Sequence, residues 1–218
     1  MTAATHWTDR LVELRACPDA VEWARTQPDL ATAWATCERV DWMLWLAGRV
    51  AGPPGDDSRR PLVLAACECA ERVLPLIRNE WAQAIATAAI QTAQAWAHGE
   101  ATIEEVRAAK DATTAAADAA PAGDREAALA AAYAAGPADE GDAVGVAVGP
   151  AGRATAVMTA GHVPWLATLA AEAVRIDAAR LRAPSARRPW SRPVARGPIL
   201  CEMADIVRRH YPEPPRIS

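Results

Sequence analysis

Glu38, Asp41, Trp42 and Trp45 are the densest group of chemistry-bearing side chains, inside the run from Cys37 to Leu46. Residues three apart on a helix are neighbours, so a helical run would put the two carboxylates on one face and the two tryptophans together. That set makes an acidic, aromatic recognition face, because tryptophan is enriched among the residues that dominate interfaces. The competing use is packing, with one tryptophan in the core and the acids at a helix end or paired with arginine. A second group closes the chain, where Glu202 and Asp205 come early and Arg208, Arg209 and His210 come late. A helix dipole favours that order. The three cations could bind a carboxylate or phosphate. Alternatively they end an ordinary docking helix whose apolar stripe is Cys201 or Met203 with Ile206, Val207 and His210.

Other constellations are weaker. Cys67 and Cys69 are two apart, so on a helix their thiols point about 200° apart and cannot share one ion. No Gly-x-Ser-x-Gly, His-Glu-x-x-His or P-loop pattern occurs, and the four histidines (His6, His98, His162, His210) are isolated in sequence. No metal or cofactor site is expected. An enzyme would have to assemble a pocket from distant groups, for example Glu38, Asp41 and His210. Residues 183–197 hold Arg187, Arg188, Arg192, Arg196 and Trp190 without an acid. Such a stretch suits single-stranded nucleic acid in a helical adaptor, or it lies over an acidic body and pairs with surface carboxylates.

Composition sets the frame for these groups. Of 218 residues, 55 are alanine, none is phenylalanine and two are tyrosine. Alanine favours helix and the aromatic strand formers are nearly absent, so the chain is expected to be all-α. Alanine buries little area, so the nine tryptophans should carry an unusual share of the core. Arginine outnumbers lysine 22 to one, which with the alanine points to a high-GC bacterial or phage genome. The net charge of −4 is uneven. Residues 180–218 hold nine arginines against Glu202, Asp205 and Glu213, a local +6, which leaves −10 on residues 1–179. An acidic body disfavours nucleic acid and favours a basic partner. The five cysteines are odd in number and widely spread, and no leader pattern precedes them. Free thiols in the cytoplasm are the simplest account. No stretch reads as a membrane span.

The expected elements follow from periodicity and punctuation. Residues 8–26 read as one or two short helices, broken at Cys17-Pro18. Asp29 caps a helix from Leu30 to Val50 with a possible break at Val40-Asp41. Pro61 opens a helix to about Ile77, and another runs from about Glu80 to Ala97 and stops at Gly99. Thr102 with Glu105 forms a capping box for the next, which runs towards Ala120. Residues 108–138 contain 17 alanines in 31. Residues 137–153 are a Gly-rich insertion, read as loop. Helix resumes near 154–182, then 183–197 is a Pro/Arg-rich linker before a terminal docking helix at 199–211. These elements make one domain, 1–218, of seven to ten helices in a bundle, with α-hairpin stacking as a variant.

Four stretches also carry a family resemblance: "LRACPDAVEWA", "CERVDWMLWLAGR", "EWAQAIATAAIQTAQAWAHGEAT" and the terminal "CEMADIVRRHYP". They resemble the immunity proteins of bacterial polymorphic toxin systems, specifically the all-helical family numbered five. The likeness covers residues 8–110 and 199–212, with Asp41 to Trp45 and Asp205 to Pro212 its specific parts. The Ala-rich middle is similar only in composition, and 137–197 departs from the pattern. The resemblance implies a non-enzymatic inhibitor that binds a toxin domain one-to-one. A toxin nuclease must bind polyanions, so the partner is expected to be basic. Glu38, Asp41, Trp42 and Trp45 are the first interface candidates, with Arg208, Arg209 and His210 next.

Overall fold

The computed structural model describes residues 6–72, 74–77, 79–119, 147–148, 154–155 and 198–217. Among them are eight α-helices, so the protein is all-α. In chain order these are α1 (Trp7–Glu13), α2 (Pro18–Arg25), α3 (Leu30–Thr36), α4 (Val40–Val50), α5 (Arg60–Glu71), α6 (Glu80–His98), α7 (Ile103–Ala119) and α8 (Pro198–His210). Short 3₁₀ turns at Asp57–Arg59 and Leu74–Leu76 flank α5. A two-residue antiparallel ladder pairs Ala147–Val148 with Ala154–Thr155. This corrects two expectations, a loop at 147–148 and a helix beginning near 154, since the paired β-branched positions Val148 and Thr155 favour extended backbone there. The rest of 137–153, the expected helix beyond 155 and the 183–197 linker lie outside the described residues.

Helix boundaries follow local chemistry. Pro18 sits in the first turn of α2, where its missing N–H costs nothing. Asp29 caps α3 by accepting from the Thr32 amide at 2.7 Å. Gly99 ends α6 with a φ of 81°, a left-handed conformation that glycine adopts freely. Thr102 and Glu105 exchange capping-box bonds, the amide of Thr102 donating to Glu105 at 2.7 Å and that of Glu105 to Thr102 at 3.3 Å. α1 ends less comfortably, with Arg15 at a φ of 65° where glycine is usual.

Two expected boundaries differ. α5 stops at Glu71, not near Ile77. Pro75 has no N–H to donate back to the Glu71 carbonyl, so α5 does not continue and a separate 3₁₀ turn follows. The Leu30–Val50 stretch is two helices, and the break falls at Cys37–Arg39, ahead of Val40. Cys37 leaves α3 in an extended conformation, so Glu38 belongs to no helix.

α5 is the centre of the fold. Leu62, Val63, Ala65, Ala66, Cys67, Cys69 and Ala70 are all fully buried, against α4, α6 and α8. Burial on nearly every side is possible because alanine and cysteine let neighbouring backbones approach closely. α6 packs on α5 and α7 packs on α6 through Ala86, Ala89, Ile90, Ala93, Val106, Ala116 and Ala117. α8 inserts Met203, Ala204, Ile206 and Val207, all buried, between α4 and α5. Cys201 is exposed, so Met203 and not Cys201 opens that stripe.

Of the described tryptophans only Trp34 and Trp96 join the buried core. The largest fully buried side chains are aliphatic, among them Met43, Leu44, Leu62, Ile90, Met203 and Ile206. Trp34 and Trp96 are buried, Trp7, Trp23, Trp42 and Trp45 are half-buried, and Trp81 is 59% exposed. No described helix is long and apolar enough to cross a membrane.

Candidate functional site

The half-buried tryptophans gather on one flank. α1 to α4 surround a small apolar groove, with a cavity of about 60 Å³, whose wall holds Trp7, Trp23, Trp34, Trp42 and Trp45, five of the nine in the chain. Leu11, Ala20, Met43 and Leu46 fill the space between the indoles, and no charged side chain lines it. Trp23 and Trp42 lie with ring centroids 5.7 Å apart at an interplanar angle of 50°, joining α2 to α4. Cys37 is also in the wall. Burial pushes its thiol up to about 11, so it is a neutral, weakly polar group there and not a nucleophile.

Asp41 lies beside this groove and is already matched. Arg39 grips it in a two-point contact, Nε to Oδ1 at 2.8 Å and Nη2 to Oδ2 at 2.6 Å. The same guanidinium lies 4.3 Å from the centroid of the Trp42 ring. Asp41, Arg39, Trp42 and Trp23 thus form one continuous stack. The acid-pairs-with-arginine alternative describes Asp41. Glu38 is exposed in the turn between α3 and α4. The helix-face pairing of Glu38 with Asp41 is therefore corrected, because α4 begins only at Val40. Trp42 and Trp45, one turn apart on α4, do share the groove.

The cations of α8 meet acceptors within the chain. Arg208 donates from Nε to the Trp34 carbonyl at 3.2 Å and from Nη2 to the Cys37 carbonyl, and its Nη1 holds Asp205 at 2.7 Å. It thereby caps the open C-terminal end of α3 with a positive group. Arg209 and His210 converge on one carboxylate, Glu68 of α5, with His210 Nε2 3.1 Å from Oε2. Burial pushes the Glu68 pKa up, but the hydrogen bonds from His210 and Arg209 outweigh it and hold it below the usual value. Trp34 Nε1 donates to the Tyr211 carbonyl at 2.9 Å, and the two rings meet edge-on. The carboxylate partner open to Arg209 and His210 from the sequence is thus met inside the fold.

Glu38, Asp41 and His210 are not brought into one pocket by the groove: none of them lines it, Asp41 is tied to Arg39 and His210 to Glu68. Cys67 and Cys69 face different helices, their thiols lying 3.8 Å from the Ile90 carbonyl and 3.9 Å from the Met203 carbonyl. Trp7, Trp23 and Trp34 were not singled out from the sequence. They come from three different helices, so no spacing links them. Arg39 and Glu68 were likewise missed, though a basic residue two before Asp41 was a visible signal.

No protein-family model matches the chain, and no curated protein or solved structure matches it either.

Proposed function

We propose that this protein neutralises a toxin domain by binding it one-to-one, with no catalysis of its own. The observation that carries the reading is the apolar groove walled by five tryptophans on α1–α4. Half-buried tryptophans around an apolar recess are the usual make-up of the centre of a protein interface. The resemblance of residues 8–110 and 199–212 to toxin-system immunity proteins supports the same reading. The acidic body, −10 over residues 1–179, suits the basic surface of a nuclease toxin.

The binding surface in this reading is the tryptophan wall, with Trp42 and Trp45 at its centre and Glu38 and Asp41 beside it. Arg208, Arg209 and His210 act behind it, holding α3 and α5 in place. The test begins with affinity capture from the native host, followed by reconstitution with the purified partner. The partner's toxic activity should fall to zero at a one-to-one ratio. Trp45→Ala should weaken that complex by about 2 kcal/mol, roughly 30-fold, with the helical circular dichroism unchanged. Full inhibition by the variant at unchanged affinity would remove the groove from the interface.

A further inference from the structure

The turn from α1 to α2 holds a residue that its backbone does not favour. The Ala16 amide donates to the Leu11 carbonyl and the Arg15 amide to the Val12 carbonyl, each at 2.9 Å. That pair of bonds is the Schellman ending of a helix, whose left-handed position is usually glycine. Arg15 occupies it with a φ of 65°, the one non-glycine residue at positive φ among the described residues. A Cβ is disfavoured in that conformation, so arginine costs stability that glycine would not. The side chain returns nothing to the fold: it is exposed and makes no hydrogen bond or ion pair among the described residues. The turn also borders the tryptophan groove. Leu11 and Ala16, before and after Arg15, line the wall, and Val12 beside them is 50% exposed.

We propose that Arg15 is a specificity residue of the partner-binding surface, pairing with a carboxylate on the partner while Val12 packs beside it. This rests on the reading of the chain as a protein binder, and it assigns no occupant to the groove. A carboxylate fits because a guanidinium holds it by two parallel bonds. Residues 1–179 carry −10, so an acidic group on the partner is repelled over most of the body and favoured at an exposed cation. Such a contact fixes the register of a partner that is basic overall. A cation also suits the negative end of α1. That purely structural role predicts the opposite change in stability.

The test measures stability and binding of the full chain, with the partner purified after affinity capture from the native host. Arg15→Gly should raise the thermal midpoint by about 2–4 °C. Arg15→Asn, which also tolerates the left-handed conformation, should not lower it. Against the partner at about 0.15 M salt, Arg15→Gly and Arg15→Gln should bind about tenfold more weakly, and Arg15→Lys should keep most of the affinity. The direction matters. Removing a cation strengthens the long-range attraction to a basic partner, so only a lost direct contact weakens that complex. Midpoints lowered by both Gly and Asn overturn the proposal, because arginine would then serve α1. Unchanged or raised affinity in Arg15→Gly overturns it too, as does equal weakening by Lys and Gln. Any of these failures alongside intact one-to-one inhibition overturns only the Arg15 contact. A partner that binds through Arg15 and keeps its full activity in the complex overturns the toxin reading instead.

Discussion

Glu68 holds two side chains of the terminal helix at once, Arg209 and His210, and so reports directly on whether α8 is docked. Its carboxyl is held below the ordinary value of 4.5. The unfolded chain therefore takes up that proton first as the pH falls. The stabilisation is fully present above 4.5 and is lost as the pH drops through the folded value. Glu68→Gln should cost about 1 kcal/mol near neutral pH, the upper range for a partly exposed ion pair. Below the folded value the variant and the parent should converge. Urea unfolding midpoints followed downwards from about pH 7 check this, and equal midpoints for the two proteins near neutral pH would show the clamp contributes nothing. The site was only partly legible at this scale. The charged ends of α8 and the Trp42–Trp45 pair stood out, because they are close in sequence. Glu68 did not, since its partners are 141 and 142 residues away. Trp7 did not either, because its place in the groove wall depends on how α1 packs on α2 and leaves no mark on the chain.

Among the elements, α8 does the most with the fewest residues. Arg208 caps α3, Glu68 of α5 is paired with Arg209 and His210, Arg72 just past the end of α5 is paired with Glu202, and the apolar face enters the core. The groove wall at Trp34 and Cys37 is therefore held from behind by a helix that arrives about 80 residues after α7 in the chain. Ile206 is fully buried there. Ile206→Ala removes buried carbon atoms and leaves a cavity, so it should cost 2–5 kcal/mol by roughly the usual range for such changes. Calorimetry checks the size, and the Trp34 environment should change in near-ultraviolet circular dichroism. A midpoint shift without any aromatic change would mean that α8 stabilises the centre but not the groove. The helices themselves were legible where the signals are local: Pro18, Asp29, Gly99, and Thr102 with Glu105 all mark the ends they should. The break between α3 and α4 was legible only roughly, expected at Val40-Asp41 and found at Cys37–Arg39, because Leu30 to Val50 keeps a helical apolar period across it. Only the contact of the Cys37 and Trp34 carbonyls with Arg208, distant in sequence, goes with ending α3 there.

For the molecule as a whole, the sequence places +6 on residues 180–218 and −10 on residues 1–179. Yet the groove itself carries no charge, and the best-placed acid beside it, Asp41, is neutralised by Arg39. Affinity and steering are thus separable in the proposed complex. The apolar wall sets how long the partner stays, while the diffuse charge of the body sets how fast it arrives. Charge acting at a distance is screened as the Debye length falls from about 30 Å at 0.01 M salt to about 8 Å at 0.15 M. Contacts inside an apolar groove are not. Between those two salt concentrations the association rate with a basic toxin domain should fall by about tenfold or more, and the dissociation rate should stay nearly constant. Trp45→Ala should do the reverse, raising dissociation and sparing association. Stopped-flow fluorescence can read both rates, because Trp42 and Trp45 lie in the proposed contact. An association rate indifferent to salt would remove the electrostatic half of the proposal and leave the groove. A dissociation rate that climbs steeply with salt would instead mean that ion pairs, not indoles, hold the complex together.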